Sequence, residues 1–184
     1  MLTINENKET KVVGFDLDGT LFSVKKAIKV FNRECNQTKK LKDITEYNFA
    51  NVYNISEEEA KNIWKTFGKE IYSESKLIEK VYNLMNYFVG QGYKIAVITA
   101  RPTEYSEMHD DIFKRFDITP DYFHIGQSNK YQSIKTLGVS YFFDDYGEMM
   151  DDLSKTDIVE SCNLMLIDAP YNQKFKHLQR FLLD

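Results

Sequence analysis

At 184 residues the chain can build one full hydrophobic core with a small appended part, but hardly two independent domains. Its content of 42% hydrophobic and 14% aromatic residues excludes a disordered chain, and a formal charge of −4 argues against a nucleic-acid backbone as partner while leaving room for a small phosphorylated ligand. Two distant cysteines, Cys35 and Cys162, exclude a disulfide framework, and the absence of a leader pattern over residues 1–6 or of an apolar run long enough to span a membrane makes a cytoplasmic protein the expectation.

The first element is an apolar run at 12–15, read as a buried strand, followed at once by Asp16-Leu17-Asp18-Gly19-Thr20-Leu21. Ligands of open α/β sheets bind outside the carboxyl ends of strands, so Asp16 and Asp18 are expected in a site. Two carboxylates so close repel each other, and a divalent cation is their natural partner. Gly19 permits a sharp turn, and Thr20 offers a hydroxyl and an amide to an anion. The bland alternative is a strand with an Asp-Gly turn.

Residues 23–75 contain no convincing strand, helical stretches at 27–35 and 57–71, and a polar middle around 38–43. Ser56 followed by Glu57-Glu58-Glu59 reads as a helix N-cap with acids in the first turn. Entered just after the first strand and left before the second, this insert is expected to be a helical cap over the site. Its Tyr47, Phe49, Tyr53 and Trp64 could stack on a nucleobase, although nothing in their spacing demands it, and Trp64 and Phe67, three apart, read first as helix-face packing.

Strands follow at 94–99, 122–125, 141–143 and 163–167, separated by helical-period segments at 77–89, 104–116, 130–137 and 147–153, with an amphipathic helical run at 174–183 closing the chain. Alternating strands and helices imply a parallel sheet with helices on both faces. Gly90-Gln91-Gly92 reads as a helix stop. The second strand ends in Thr99-Ala100-Arg101-Pro102, where a hydroxyl can bind a phosphate oxygen and a guanidinium can clamp one bidentately. Lys130 opens a helix and points toward the strand ends, with Lys135 as competitor; a fixed ammonium there stabilises a phosphoryl group in transit. Asp144-Asp145 ends the fourth strand, whereas Asp151-Asp152 sits in a polar helical stretch and reads as a solvated face. His109, His124 and His177 are scattered and suggest neither a zinc site nor a histidine nucleophile. Asp168-Ala169-Pro170-Tyr171-Asn172 reads as a structural turn, with a site contact as the alternative.

The run Phe15-Asp16-Leu17-Asp18-Gly19-Thr20-Leu21 resembles the first signature of the haloacid dehalogenase superfamily of phosphohydrolases, D-x-D-x-T. Ile98-Thr99-Ala100-Arg101-Pro102 resembles its deoxyribonucleotidase branch and bacterial relatives. The resemblance implies a three-layer Rossmann-like α/β core over 1–22 and 76–184 with a small helical cap over 23–75. It implies that Asp16 is the nucleophile, Asp18 the general acid/base, and Lys130 the lysine beside the phosphoryl group, with Thr99, Ala100 and Arg101 also binding phosphate. Mg²⁺ is expected on Asp16, the Asp18 backbone carbonyl and Asp144, with Asp145 supporting them, because hard oxygen ligands and a phosphate favour that ion. The implied reaction is phosphomonoester hydrolysis, most readily of 5′-nucleoside monophosphates. A phosphatase for sugar phosphates and an idle phosphate-ligand sensor stay open as alternatives, as does monomer against homodimer.

Overall fold

The computed structural model describes residues 11–183; the leader-free reading of residues 1–6 and the start of the expected core segment 1–22 lie outside them. Six strands, β1 (Val12–Phe15), β2 (Lys94–Ile98), β3 (Tyr122–His124), β4 (Val139–Asp144), β5 (Asn163–Ile167) and β6 (Arg180–Phe181), form one sheet in the order β3-β2-β1-β4-β5-β6. Every neighbouring pair is parallel. The chain builds outward from β1 in one direction, then crosses back to continue on its other side. That reversal opens a crevice at the carboxyl end of β1, between β2 and β4.

Both faces of the sheet are covered, which explains why its strands read as unbroken apolar runs. Successive side chains alternate between faces. Val13, Phe15, Ile95, Val97 and Phe143 join one core with residues of α4 (Glu79–Gly90) and α5 (Ser106–Arg115). Val12, Ala96, Ile98, Phe142 and Leu166 join the other with α6 (Tyr131–Leu137) and α7 (Gly147–Ser154). Gly14 is needed for close packing, because a Cβ there would sit 2.8 Å from the Phe142 ring.

Between β1 and β2 lie α1 (Lys25–Glu34), a 3-10 turn at Leu41–Asp43, α2 (Phe49–Tyr53) and α3 (Glu57–Ser73). They bury a third cluster around Ile28, Phe31, Ile44, Phe49, Tyr53 and Ile71. Ser56 caps α3 as expected, its hydroxyl accepting from the Glu59 N–H at 3.2 Å while the Glu59 carboxylate accepts from the Ser56 N–H at 2.8 Å. The segment leaves and rejoins the core side by side: Ser23 N–H donates to the Lys76 carbonyl at 2.8 Å, and Ile78 N–H to the Leu21 carbonyl at 2.9 Å.

The end of the chain corrects one expectation. Residues 174–183 do not form a helix; the segment passes through turns before it enters β6, which pairs with β5 through Leu166↔Arg180 and Ile167↔Phe181. Long-range partners override the amphipathic pattern, since the Arg180 guanidinium binds Asp168 and the Asn172 side chain while the Phe181 ring meets that of Phe143 edge-on at 6.2 Å. Among the described residues, no helix is long and apolar enough to cross a membrane.

Candidate active site

Asp16 follows β1 directly, and its N–H donates to the Phe143 carbonyl at 2.9 Å, which locks it beside the end of β4. The turn beyond it is held by Gly19 at φ 81°, a conformation that side chains resist. Gly19 has a second reason to be glycine: a Cβ there would land on the Asp145 carboxylate.

Lys130 caps the start of α6 and is buried. Its Nζ donates to Asp16 Oδ1 at 2.5 Å and to Asp144 Oδ2 at 2.6 Å. Burial alone would push this ammonium down, but Asp144 and Asp16 hold it above its ordinary range. Lys135, the competing lysine, lies on the surface with Asp157 and Tyr131. Asp151 likewise serves surface pairs with Lys155 and His177. Gly90 and Gly92 lie at the amino end of β2, away from the strand ends that carry the acids.

The two neighbouring acids of β4 have different partners. Asp144 is occupied on both oxygens, by Lys130 and by the Tyr146 N–H at 2.8 Å. Asp145 accepts from the Tyr171 hydroxyl on Oδ2 at 2.5 Å, and its buried Oδ1 has no hydrogen-bond partner among the described residues. Oxygens of Asp16, Asp144 and Asp145 lie within 4.8 Å of one another. Burial, chiefly, and the neighbouring Asp144 raise the Asp16 carboxyl to about 7 against the pull of Lys130. Burial and the charges of Asp144 and Asp16 raise Asp145 as well. Three buried carboxylates facing one ammonium leave an excess of negative charge, and a bare carboxylate oxygen in that cluster is what a hard divalent cation requires. The donor set fits such an ion.

Arg101, buried after β2, does not stand free. It donates through Nε and Nη2 to Asp18, both at 2.8 Å. The guanidinium lies over the Tyr72 ring at 4.5 Å and the Phe22 ring at 5.4 Å. Its Nη1 meets His109 Nε2 at 3.2 Å, and His109 Nδ1 meets the Tyr105 carbonyl at 2.7 Å. Because guanidinium can only donate and carbonyl can only accept, the imidazole is neutral with its hydrogen on Nδ1. Burial and the Arg101 charge push its pKa down, in agreement. Thr99, also buried, accepts from the Arg101 N–H at 3.2 Å, and the buried Thr20 hydroxyl has no partner among the described residues.

Asp16, Asp18, Thr99, Arg101, Lys130 and Asp145 open into a cleft of about 460 Å³, which Ala100 also lines. Tyr47, Phe49, Trp64 and Tyr72 of the insert form the opposite wall. Tyr47 stacks at 4.0 Å on Tyr146, joining insert to core beside the acids. Tyr53 is elsewhere: its ring sits inside the insert against Phe31 and its hydroxyl reaches Ile28 and Asn32. Trp64 packs on Phe31 and Phe49, as its helix-face spacing suggests, and also lines the cleft.

The structure therefore brings Asp16, Asp18, Thr99, Ala100, Arg101, Lys130, Asp144 and Asp145 to one place. Sequence reasoning missed His109, Tyr72 and Tyr146; the turn of Tyr171 and Asn172, for which a site contact is the alternative reading, does reach the site, through the Tyr171 hydroxyl on the Asp145 carboxylate and the Asn172 amide on the Asp145 carbonyl. His109 had a signal: it shares the inward stripe of α5 with Ile112 and Phe113, an odd place for an imidazole with no partner.

Residues 10–182 match the family model described as 5′ nucleotidase, deoxy (pyrimidine), cytosolic type C protein. The "Putative nucleotidase YqfW" of Bacillus subtilis is 27% identical over 163 residues, spanning 88% of this chain and 82% of that protein. A relative of the same description from Oceanobacillus iheyensis is 25% identical across 92% of this chain and 93% of its own. Among solved structures, a haloacid dehalogenase-like hydrolase from Streptococcus pneumoniae superposes with a TM-score of 0.64 at 17% identity, covering 94% of this chain and 92% of that one. A Haemophilus somnus protein, described as a "predicted phosphoglycolate phosphatase", gives 0.61 at 20% identity over 93% of both chains. At such identities these structures speak to the fold alone.

Proposed function

The chain belongs to the family of cytosolic type C deoxy (pyrimidine) 5′ nucleotidases, phosphatases of haloacid dehalogenase fold, and from that premise we propose that it hydrolyses 5′-nucleoside monophosphates through a phosphoryl intermediate on Asp16. The observation that carries this reading is the buried cluster at the strand ends, where Lys130 bridges Asp16 and Asp144 and Asp145 keeps one oxygen bare.

In the first step an Asp16 carboxylate oxygen bonds to phosphorus on the side opposite the leaving alcohol. The phosphorus–oxygen bond to that alcohol breaks, its electron pair stays on the alcohol oxygen, and Asp18 supplies the proton. In the second step Asp18, now ionised, takes a proton from water as the water oxygen bonds to phosphorus; the phosphorus–oxygen bond to Asp16 breaks with its electron pair left on the Asp16 carboxylate, and inorganic phosphate departs. Lys130 neutralises charge on the phosphoryl oxygens and orients the nucleophile, while Thr99, Ala100 and Arg101 line the phosphate end of the cleft.

Mg²⁺ is the cation this cluster suits; when bound it supplies a Lewis acid that shields the attacking carboxylate from the anionic phosphate. We assign its ligands to Asp16, Asp145 and the Asp18 backbone carbonyl. Asp144 serves by holding Lys130, which reverses the roles expected from the sequence for the two adjacent acids. The reason is occupancy: both Asp144 oxygens already have donors, and one of Asp145 does not.

Residues 23–75 serve in this reading as a cap, with 11–22 and 76–183 as the core. The cap's Tyr47, Phe49 and Trp64 give the cleft an aromatic wall suited to a planar base, which favours nucleotides over sugar phosphates. The enzyme is read as cytoplasmic, acting on a small phosphorylated substrate and not on nucleic acid or membranes.

Phosphate release from a panel of nucleoside monophosphates and sugar phosphates, with Mg²⁺ and with EDTA, tests the reading. Turnover of nucleotides that EDTA stops and Asp16→Asn abolishes is the expected result. Preference for sugar phosphates would remove the nucleotide assignment, and an inactive protein would overturn the whole.

A further inference from the structure

We propose that His109 is a positioning residue for the proton transfer: it holds Arg101 so that one edge of the guanidinium fixes the carboxylate of Asp18. The inference rests on the reading of Asp18 as the acid that protonates the leaving alcohol.

The geometry forms one chain of donors and acceptors. The Tyr105 carbonyl accepts from His109 Nδ1, His109 Nε2 accepts from Arg101 Nη1, and Arg101 Nε and Nη2 donate to the two oxygens of Asp18. An arginine has a long, flexible stem, and a bidentate grip fixes a carboxylate only if the guanidinium is itself fixed. Here its faces are covered by Tyr72 and Phe22, so it cannot tilt out of plane. Those rings leave rotation within the plane open, and a single acceptor at Nη1 stops it. His109 is that acceptor.

A neutral imidazole suits the task better than the alternatives. A carboxylate would compete with Asp18 for the guanidinium, and an apolar residue would leave a buried Nη1 hydrogen without a partner. His109 is in turn anchored away from the cleft, and it touches neither the cluster of Asp16, Asp144 and Asp145 nor the space for substrate. Tyr105 itself is steadied by the insert: it packs edge-on against Tyr72 at 5.1 Å, and a Cβ on Gly68 of α3 would lie 2.5 Å from its hydroxyl. The chain therefore starts at the interface between insert and core and ends on the acid.

Leaving-group dependence reads this role directly. When the alcohol of a nucleoside monophosphate departs, its oxygen takes the electron pair of the broken bond and needs the Asp18 proton at once. Departing 4-nitrophenolate is stable without a proton. A variant that misplaces Asp18 therefore harms the first reaction and largely spares the second, whereas a variant that merely unfolds part of the sample harms both alike.

The experiment compares kcat/KM for a nucleoside 5′-monophosphate and for 4-nitrophenyl phosphate, a ratio that covers only the steps through departure of the alcohol. For His109→Leu the nucleotide value falls about 10- to 100-fold, the cost of losing an outer partner of a functional group. The value for 4-nitrophenyl phosphate stays close to wild type. His109→Gln, which keeps an acceptor for Arg101, recovers most of the loss. Should His109→Leu fail to fold, His109→Phe gives the same selective defect, because it keeps a ring against Phe113 and Phe123 but offers Arg101 no acceptor. Equal losses on both esters, or none, in the folded variants would overturn the positioning role. A wild-type protein that hydrolyses neither ester would instead overturn the proposed function beneath it.

Discussion

Asp145 hands one carboxylate oxygen to the Tyr171 hydroxyl at 2.5 Å and keeps the other bare in the interior. The residue that makes this arrangement possible lies 26 positions further along the chain, in the 3-10 turn Pro170–Asn172 after β5. Asn172 of the same turn donates to the Asp145 carbonyl at 2.9 Å and the Ile167 carbonyl at 2.8 Å. The turn thus orients both the side chain and the backbone of the acid.

Replacing Tyr171 by Phe removes that donor and keeps the ring. Asp145 is then free to rotate, and the cation is held less well. Apparent Mg²⁺ affinity is expected to weaken about tenfold, the usual cost of losing a partner of a ligand. Titration of Mg²⁺ into the EDTA-treated protein, followed calorimetrically, reads the change; an unaltered affinity would show that Asp145 is not a ligand.

Lys130→Met strips the ammonium that bridges Asp16 and Asp144. Removing one partner of a buried ion pair costs about 3 kcal/mol of stability, because the remaining charge has lost its compensation. Urea unfolding of the metal-free protein should show the loss, and phosphate release should fall to background. Lys135→Met, on the surface, should leave both measurements near wild type.

Gly19 and Gly92 both adopt φ of 81°, yet only Gly19 faces a neighbour. Alanine at Gly92 therefore carries the conformational cost alone, about 1 kcal/mol, with activity retained. Alanine at Gly19 adds displacement of the Asp145 carboxylate, so activity should collapse as well. Thermal melting and phosphate release on the two variants separate strain from function.

Glu70 in α3 receives hydrogen bonds from Arg33 and then Lys26, which hold its carboxyl at about 2, below the ordinary 4.5. A depressed carboxylate stabilises the fold at pH above its unfolded value and loses that contribution as the pH falls toward the folded one. The difference in melting temperature between wild type and Glu70→Gln should therefore be constant above pH 4.5 and shrink steadily below it. A difference that widens in acid would contradict the pairing.

Much of this site was legible because chemistry and fold coincide at strand ends. An apolar run closing on polar residues, repeated at Asp16, Thr99 and Asp144, gives both the sheet and the place where it works. What could not be read depends on distant partners. Asp144 and Asp145 are adjacent and chemically identical, and only Lys130 and Tyr171 tell them apart. Arg101 reads as a free phosphate clamp until Asp18 is found in its grip. β6 is two residues long and exists through its pairing with β5, so its own sequence pattern pointed to a helix. His109 was passed over because it belongs to no spacing motif, although burial gives it a meaning that spacing does not.

The two crossings between core and insert, tied together at Ser23–Lys76 and Leu21–Ile78, have a consequence for how such a protein can change. Because the insert begins and ends at one point, its length and content can vary without disturbing the register of β1 against β2 or β4. Grafting a different loop-in, loop-out segment at that junction would keep the strands in register, but it would also take Tyr72 from the face of Arg101, so a replacement segment must supply its own ring there.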